Sequence, residues 1–168
     1  MPSSPFVVNV GALLRNPGMR CADRRSGSLG TLSVVGSEVT ADSEATVEVS
    51  FESVPGAVVV TAVVSASWQG ECRRCLAMAV GTVRSQVREL FERQPDPDET
   101  YPLSGDQLDL EPLARDAVLL ELPLAPLCQE GCRGLCAICG ADRNCDPCQC
   151  ELEVPDPRWA ALDALRDN

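Results

Sequence analysis

Residues 58–75 read VVVTAVVSASWQGECRRC, and the expected architecture of the chain follows from this stretch. Its first part, residues 58–68, is rich in valine, a composition typical of β-strands. Residues 76–91 continue with alternating apolar and polar side chains, which predicts a second strand with one buried face. Cys72 and Cys75 would then lie in the turn between two strands, where a C-x2-C pair can direct both sulfurs to one point.

Other segments predict more strands and one helix. Turns containing glycine or proline separate three β-like segments in the first half of the chain. From Asp109, leucine, alanine and valine recur at helical spacing, with Pro112 in the first turn and an end near Pro123. We therefore expect an α+β fold, in which one amphipathic helix covers an antiparallel β-rich core. The three additional strands are predicted at residues 6–10, 29–35 and 45–51.

The remaining segments determine the expected domain organisation. Residues 94–107 are proline-rich and acidic, which predicts a solvated connector with little packed structure. Asp156 and Pro157 are typical of a helix N-cap and first turn, so a short helix is expected at the C-terminus. We predict a single domain in which residues 1–127 form the β-rich core with its covering helix. Residues 128–168 would add a cysteine-rich metal-binding segment and the terminal helix.

The chain has 10 cysteines and no histidine, and seven of those cysteines lie between Cys128 and Cys150. This cluster reads C-x3-C-x3-C-x2-C-x5-C-x2-C-x-C. A disulfide framework would need an oxidising compartment, but the N-terminus lacks the basic start and apolar core of a secretory signal. No segment approaches the length that spans a bilayer. We expect a cytoplasmic protein whose clustered cysteines hold metal, with disulfides as the alternative.

The formal net charge is −11, and its distribution bears on possible partners. Residues 37–71 carry six acids and no base, and residues 89–127 carry ten acids against two arginines. Such surfaces repel nucleic acid. Two basic patches interrupt the acidic chain, and the second is compatible with phosphate contact or with a solvated strand face. One contains Arg15, Arg20, Arg24 and Arg25, and the other contains Arg73, Arg74, Arg84 and Arg88.

Catalysis has little support in the composition. Histidine, the commonest general acid or base, is absent, and a zinc ion held by four thiolates has no open position for water. The carboxylates lie in solvated runs rather than in pairs within apolar sequence. We therefore predict a protein that is not an enzyme and has no small-molecule substrate. A thiol oxidoreductase built on Cys72 and Cys75 is a further alternative, although Arg73 and Arg74 match no redox strand-to-helix motif.

Three other motifs accompany the C-x2-C pair of the strand turn. The four motifs are CRRCL at 72–76, LLELPL at 119–124, LCQEGCRGLCAICGA at 127–141 and DPRWAAL at 156–162. Together they resemble the YceD family from about residue 72 to the end of the chain. The resemblance implies a bacterial or plastid metal-binding protein that supports accumulation of large-subunit (23S) ribosomal RNA and ribosome assembly. The implied partner is that RNA or a basic large-subunit ribosomal protein.

The family pattern of C-x2-C, about eight residues and C-x-C corresponds to Cys136, Cys139, Cys148 and Cys150. Gly140 follows the second cysteine, where backbone N–H groups can turn toward sulfur. The remaining clustered pair, Cys128 and Cys132, is then expected to complete a second site with Cys72 and Cys75. We predict two all-cysteine zinc sites, with iron as the alternative ion. The alternative is that Cys128 or Cys132 is a small buried apolar side chain and not a metal ligand.

Cys145 leaves a regulatory function open. It stands where the family commonly has a polar residue other than cysteine, so it is a candidate to exchange into the neighbouring site or to remain a free thiol. This motivates the alternative of a zinc- or redox-responsive regulatory protein. For the favoured ribosome-assembly function, the expected nucleic-acid contacts are Arg73, Arg74, Arg84 and Arg88, and the acidic faces would contact protein.

Overall fold

The structure, a computed structural model, describes residues 4–96, 99–146, 148–150 and 158. This part of the chain contains nine strands and two helices. In chain order these are β1 (Val7–Asn9), α1 (Gly11–Leu14), β2 (Arg20–Gly27), β3 (Leu32–Val34), β4 (Ser37–Val39), β5 (Ala45–Val54), β6 (Ala57–Glu71), β7 (Met78–Glu92), β8 (Tyr101–Ser104), β9 (Gln107–Asp109) and α2 (Glu111–Glu121).

A long hairpin of β6 and β7 forms the centre of the sheet, and its turn contains Cys72 and Cys75. β5 pairs with the first part of β6 and carries β2 on its far edge, while β4 pairs with the end of β6 and carries β3. On the other side of the hairpin, β7 pairs with β8, β8 pairs with β9, and β9 pairs with β1. Among the described strands, the β7–β8 pairing is parallel and the others are antiparallel, so the sheet is mixed.

Alternation along the strands places one face of the sheet in the core. In β5, Val47, Val49 and Phe51 are buried, while Glu48 and Ser50 between them are exposed. The same period of two in β6 and β7 adds a layer of inward-facing side chains, most of them valine or alanine. Because successive side chains of a strand point to opposite faces, the opposite face is left for charged and hydroxyl groups.

The predicted α+β class is wrong, because the described chain is mostly strand and its sheet curls on itself. α1 has 4 residues and α2 has 11. A strand of 15 residues, such as β6, extends about 50 Å, whereas a helix the length of α2 extends about 16 Å. α2 packs on β7, β6 and β3, but it covers only part of the sheet. The curled, valine-rich strands close the rest of the core with their own side chains.

Most of the individual elements agree with the sequence. The helix expected from Asp109 is confirmed as α2, and the strands expected at 45–51, 58–68 and 76–91 are confirmed as β5, β6 and β7. The strands expected at 6–10 and 29–35 are confirmed in shorter form as β1 and β3. β2 has no counterpart among the predictions, because its sequence RCADRRSG is polar and has no apolar alternation. An exposed edge strand whose one partner among the described strands is β5 leaves little hydrophobic pattern in the sequence.

The expected solvated connector at 94–107 is wrong in its second half, where β8 forms. Leu103 is buried, and the ring of Tyr101 stacks on Phe91 with their centroids 5.0 Å apart. The terminal helix predicted from Asp156 lies outside the described residues, and the division at residue 127 stays a prediction. None of the described helices has the length and apolar character needed to cross a membrane.

Candidate metal centres

Two groups of four cysteines form in the described part of the chain, and they have the membership predicted from the sequence. Within each group, all four sulfurs lie within 4.8 Å of one another. The turn site contains Cys72, Cys75, Cys128 and Cys132, and the terminal site contains Cys136, Cys139, Cys148 and Cys150. Their role as metal ligands remains a prediction.

The turn site forms where the β6–β7 turn contacts the segment that follows α2. The backbone N–H of Arg73 donates to the carbonyl of Pro126 at 2.9 Å, which holds that segment beside the turn. Cys72, Cys75 and Cys132 are buried and form a small cluster separate from the main hydrophobic core. Residues more than fifty positions apart in sequence therefore share one sulfur cluster.

Distances in the turn site match a tetrahedral metal site better than a disulfide. Cys72 Sγ lies 3.8 Å from Cys132 Sγ, and Cys75 Sγ lies 3.5 Å from Cys128 Sγ. Four sulfurs bound to zinc at about 2.3 Å would be about 3.8 Å apart along each edge of the tetrahedron. A disulfide would need a separation of about 2.05 Å. In the structure none of the ten cysteines is paired by a disulfide.

The C-x2-C turns of the two sites share one backbone hydrogen-bonding pattern. In each turn, the first cysteine donates its N–H to the carbonyl of the residue five positions later, at 2.8 Å. The residue after the second cysteine donates back to the carbonyl of the first, at 2.9 Å. That residue has a positive φ in both turns, 63° at Leu76 and 74° at Gly140. The chain therefore uses the same turn geometry twice to direct a pair of sulfurs.

Backbone N–H groups lower the pKa of one thiol in each site. Burial by itself raises the pKa of Cys72, but N–H groups from residues 128, 74 and 75 face its sulfur and lower that pKa to about 6. In the terminal site, the N–H groups of Cys139 and Ile138 lower the pKa of Cys136 to about 6. The Ile138 nitrogen lies 3.4 Å from Cys136 Sγ. Each first cysteine is thus prepared to carry charge at neutral pH.

Crowding of the sulfurs raises the pKa of other thiols in each group. The side chain of Cys75, followed by burial, raises the pKa of Cys128 to about 12. The side chain of Cys139, again followed by burial, raises the pKa of Cys150 to about 12. These protons are retained because a second thiolate beside the first would be repelled. A bound divalent cation would remove that repulsion and displace the protons.

The residues present fit a metal ion that prefers four soft ligands. Thiolate sulfur suits zinc and iron, and four sulfurs at these spacings complete a tetrahedral shell. N–H groups directed at sulfur offset part of the excess negative charge of such a site. With the shell complete, no position remains at which water or a substrate could bind the metal. The sites therefore fit a structural function better than a catalytic one.

The four arginines predicted to contact nucleic acid lie in two places. Arg84 and Arg88 project from the outer face of β7, and the same face carries Arg20 and Arg24 of β2 across β5 and β6. We call these four side chains the arginine face: Arg20, Arg24, Arg84 and Arg88. Arg73 and Arg74 instead lie in the β6–β7 turn. The two basic patches of the sequence thus contribute to one surface, which sequence reasoning missed because it depends on strand order.

Glutamates of β5 neutralise part of the arginine face. Arg20 pairs with Glu52 at 2.8 Å, and Glu48 lies 3.9 Å from Arg24 and 4.0 Å from Arg84. Arg88 makes no ion pair with any residue that the structure describes. The face therefore retains a net positive charge on an otherwise acidic molecule.

Arg74 has a structural contact that the sequence did not indicate. Its guanidinium donates to the carbonyl of Cys132 at 2.8 Å, and its own carbonyl accepts the N–H of Leu135 at 3.0 Å. Gly134 is required there, because a Cβ at that position would lie 2.8 Å from the Arg74 carbonyl oxygen. Arg74 therefore joins the turn site to the chain leading into the terminal site, although it is exposed, as is Arg73.

Two cysteines lie outside both groups, and both are exposed. Cys145 Sγ lies 3.9 Å from a carboxylate oxygen of Asp142, and Cys21 lies on β2 opposite Phe51. Exposure is compatible with the reactive role considered for Cys145, which remains a prediction.

Comparison with known proteins places this chain among a group of related sequences. Residues 60–166 match the family described as "Large ribosomal RNA subunit accumulation protein YceD". This segment includes all eight cysteines of the two sites.

Similar individual proteins come from mycobacteria and a plant. An uncharacterized protein of Mycobacterium tuberculosis is 33% identical over 170 residues, covering 95% of this chain and 81% of that protein. One from Mycobacterium leprae is 31% identical over 177 residues, covering 95% of this chain and 76% of that protein. A chloroplastic protein of Arabidopsis thaliana, "Large ribosomal RNA subunit accumulation protein YCED homolog 1", is 33% identical over 68 residues, 40% of this chain and 21% of that protein. No solved structure matches.

Proposed function

Because this chain belongs to the YceD family of large ribosomal RNA subunit accumulation proteins, we propose that it is a zinc-binding factor for ribosome assembly. It supports accumulation of large-subunit ribosomal RNA in the cytoplasm by binding rather than by catalysis. The observation that carries this proposal is the pair of closed four-cysteine sites within the segment that matches the family. A saturated metal shell and the absence of histidine leave no evident chemistry for an enzyme.

In this proposal zinc has a structural role. One ion joins the β6–β7 turn to the segment after α2, and the other shapes the loop that follows it. Among the described residues of this cysteine-rich segment, Ile138 is 63% exposed and Leu135 is 38% exposed, so little apolar surface is buried there. Metal bonds would supply the folding energy that a hydrophobic core does not supply here.

The arginine face is the proposed contact surface for RNA. β2 and β7 are three interstrand spacings apart, so its arginines span about 14 Å. Arginine binds phosphate with paired N–H donors, and Arg88 is available without breaking an ion pair in the described structure. The acidic remainder of the surface would repel RNA and so confine the contact to this face.

The alternative partner is a basic large-subunit ribosomal protein, which would contact the acidic surface. Binding to RNA and binding to a protein can be distinguished by the variants that weaken each. Loss of arginines weakens the first, whereas loss of surface carboxylates weakens the second.

Metal content is the first test of the proposal. We expect protein purified under reducing conditions to contain two zinc ions per chain by elemental analysis. Cys72→Ser and Cys136→Ser should each remove one ion, and Cys21→Ser, which lies outside both groups, should remove none. A wild-type chain without metal, or with S–S bonds at these positions, would contradict the proposal.

RNA binding is the second test. We expect Arg84→Ala and Arg88→Ala together to weaken binding to large-subunit ribosomal RNA fragments and to reduce the salt slope by about one per lost contact. Arg15→Ala is the matched control, since Arg15 is exposed but lies outside the arginine face. If the wild type retains a ribosomal protein but binds no RNA at low salt, the partner is the protein.

The regulatory alternative depends on Cys145. Its exposed thiol is three residues from Asp142 and does not belong to either sulfur group. If the protein responds to oxidants, mild peroxide should release zinc quickly and Cys145→Ser should slow the release. Equal release rates in the variant and the wild type would remove the basis for this alternative.

A further inference from the structure

Asn144 contacts a sulfur of the turn site although it lies on the loop of the terminal site. Its Oδ1 accepts the backbone N–H of Arg133 at 2.8 Å. Its Nδ2 donates to Cys132 Sγ at 3.4 Å and to Asp142 Oδ1 at 2.7 Å. The amide orientation is well determined by these partners, because a backbone N–H requires the oxygen and both other partners accept hydrogen bonds.

The terminal-site loop determines where Asn144 lies. Leu135 and Asp142 pair as an isolated β-bridge, and the N–H of Arg143 donates to the carbonyl of Gly134 at 3.0 Å. Between Leu135 and Asp142, the C-x2-C turn that starts at Cys136 closes through its own backbone hydrogen bonds. The chain that leaves the turn therefore returns directly to Cys132, with Asn144 at the point of contact. If this loop opened, the Asn144 amide would lose its position against the sulfur.

We propose that Asn144 is a positioning residue that couples the two metal sites. Metal in the terminal site holds the 134–144 loop closed and thereby keeps the Asn144 N–H directed at the Cys132 thiolate. That N–H offsets charge in a shell that carries about two excess negative charges when zinc is bound to four thiolates. Because coupling between two binding sites is reciprocal, zinc in the turn site also favours zinc in the terminal site.

The chain offers a second physical link between the sites, which the test must separate from Asn144. The N–H of Leu135 donates to the carbonyl of Arg74, and that contact involves backbone atoms only. It would persist in variants of Asn144. A double-mutant cycle distinguishes the two routes, because effects through Asn144 disappear once its side chain is removed.

The experiment measures zinc release from the turn site to a chromophoric chelator in four proteins. These are the wild type, Asn144→Ala, Cys139→Ser and the double variant. Removing a group that hydrogen-bonds a metal ligand typically costs 10–100-fold in metal affinity, so we expect each single variant to release zinc at least about tenfold faster. The double variant should be no faster than the faster single variant. Multiplicative acceleration in the double variant, or an unchanged rate in Asn144→Ala, would overturn the coupling.

Two further measurements exclude a merely structural effect. Asn144→Asp keeps an acceptor for the Arg133 N–H but has no N–H for sulfur and adds a carboxylate beside Asp142, so it should release zinc at least as fast as Asn144→Ala. With cobalt in the turn site, loss of the hydrogen bond should shift the sulfur-to-metal charge-transfer band to lower energy, because the sulfur becomes a better donor. Asn16→Ala is the control, since the Asn16 amide donates to the carbonyl of Ala12 at a distant exposed site. An unshifted band in both variants of Asn144 would also contradict the inference.

This inference rests on the proposed zinc sites, and the two can fail separately. A wild-type chain that binds no zinc or cobalt contradicts both. Two ions per chain with independent release rates contradict the coupling alone.

Discussion

Leu76 and Gly140 occupy equivalent positions in the two cysteine turns, yet only glycine adopts a positive φ without steric cost. A side chain in this left-handed conformation costs roughly 1–2 kcal/mol. The Leu76 side chain is 63% exposed, so packing does not repay much of that cost. The backbone conformation is set by the hydrogen bonds that direct the two sulfurs, and strain at Leu76 follows from them.

Leu76→Gly is therefore expected to strengthen zinc binding at the turn site. Strain relief exceeds the roughly 0.4–1 kcal/mol that added glycine freedom costs, which leaves a gain on the order of 1 kcal/mol, or about fivefold in affinity. Chelator competition in a Cys136→Ser background, which retains only this site, measures the change. Leu76→Ala keeps the Cβ and should show no gain. Equal affinities in Leu76→Gly and Leu76→Ala would mean that the strain has no energetic effect.

At the level of elements, α2 contributes to the core although it does not cover the sheet. Leu113 is 1% exposed and Leu120 is 85% exposed on the same helix. Tyr101 of β8 donates its hydroxyl to Asp116 at 2.8 Å and so joins α2 to the sheet. Burial of the ring, followed by that hydrogen bond, raises the pKa of Tyr101, so the phenol stays protonated and remains a donor.

Two leucine-to-alanine changes in α2 test how much of the helix is part of the core. Leu113→Ala should reduce the free energy of unfolding by about 2–5 kcal/mol, because it removes buried methyl groups and leaves a cavity. Leu120→Ala, which has the same effect on helix propensity, should change it by less than about 0.5 kcal/mol. Thermal unfolding followed by circular dichroism gives both values. Similar losses from the two variants would show that α2 is packed differently from the structure.

On the scale of the whole molecule, the main core and the sulfur clusters are separate. The core consists of valine, leucine and phenylalanine from the sheet and α2, whereas the turn site has its own small cluster. The sheet has enough buried apolar surface to persist without metal, whereas the described residues between 128 and 150 add none to the main core. The molecule should therefore lose its metal-dependent part first.

Chelation is expected to open the cysteine-rich segment while the sheet stays folded. A strong chelator under reducing conditions should leave the β-sheet circular dichroism signal unchanged. Trypsin should then cleave after Arg133 and Arg143, which it spares in the zinc-loaded protein. Arg24, on strand β2, should stay protected in both states and serves as the internal control. Loss of the sheet signal on chelation would show that the metal holds the whole fold.

Local features of this chain could be read from the sequence, because they depend on residues a few positions apart. Cysteine spacing identified both C-x2-C turns, and the two-residue period identified the long hairpin of β6 and β7. The helical period identified α2. The sequence did not reveal how much sheet that helix would have to cover. That is why the α+β class failed although the elements themselves were largely confirmed.

The sequence alone determined which sulfurs are available and which strands are amphipathic, since spacing and alternation act along the chain. Only the tertiary structure decided that Arg20 and Arg24 share a face with Arg84 and Arg88, because that depends on the strand order β2-β5-β6-β7. It also decided that Asn144 contacts Cys132, because a loop must close before those residues meet. The physical reason is the same in both cases: chain connectivity sets the elements, while pairing between distant segments sets which side chains meet.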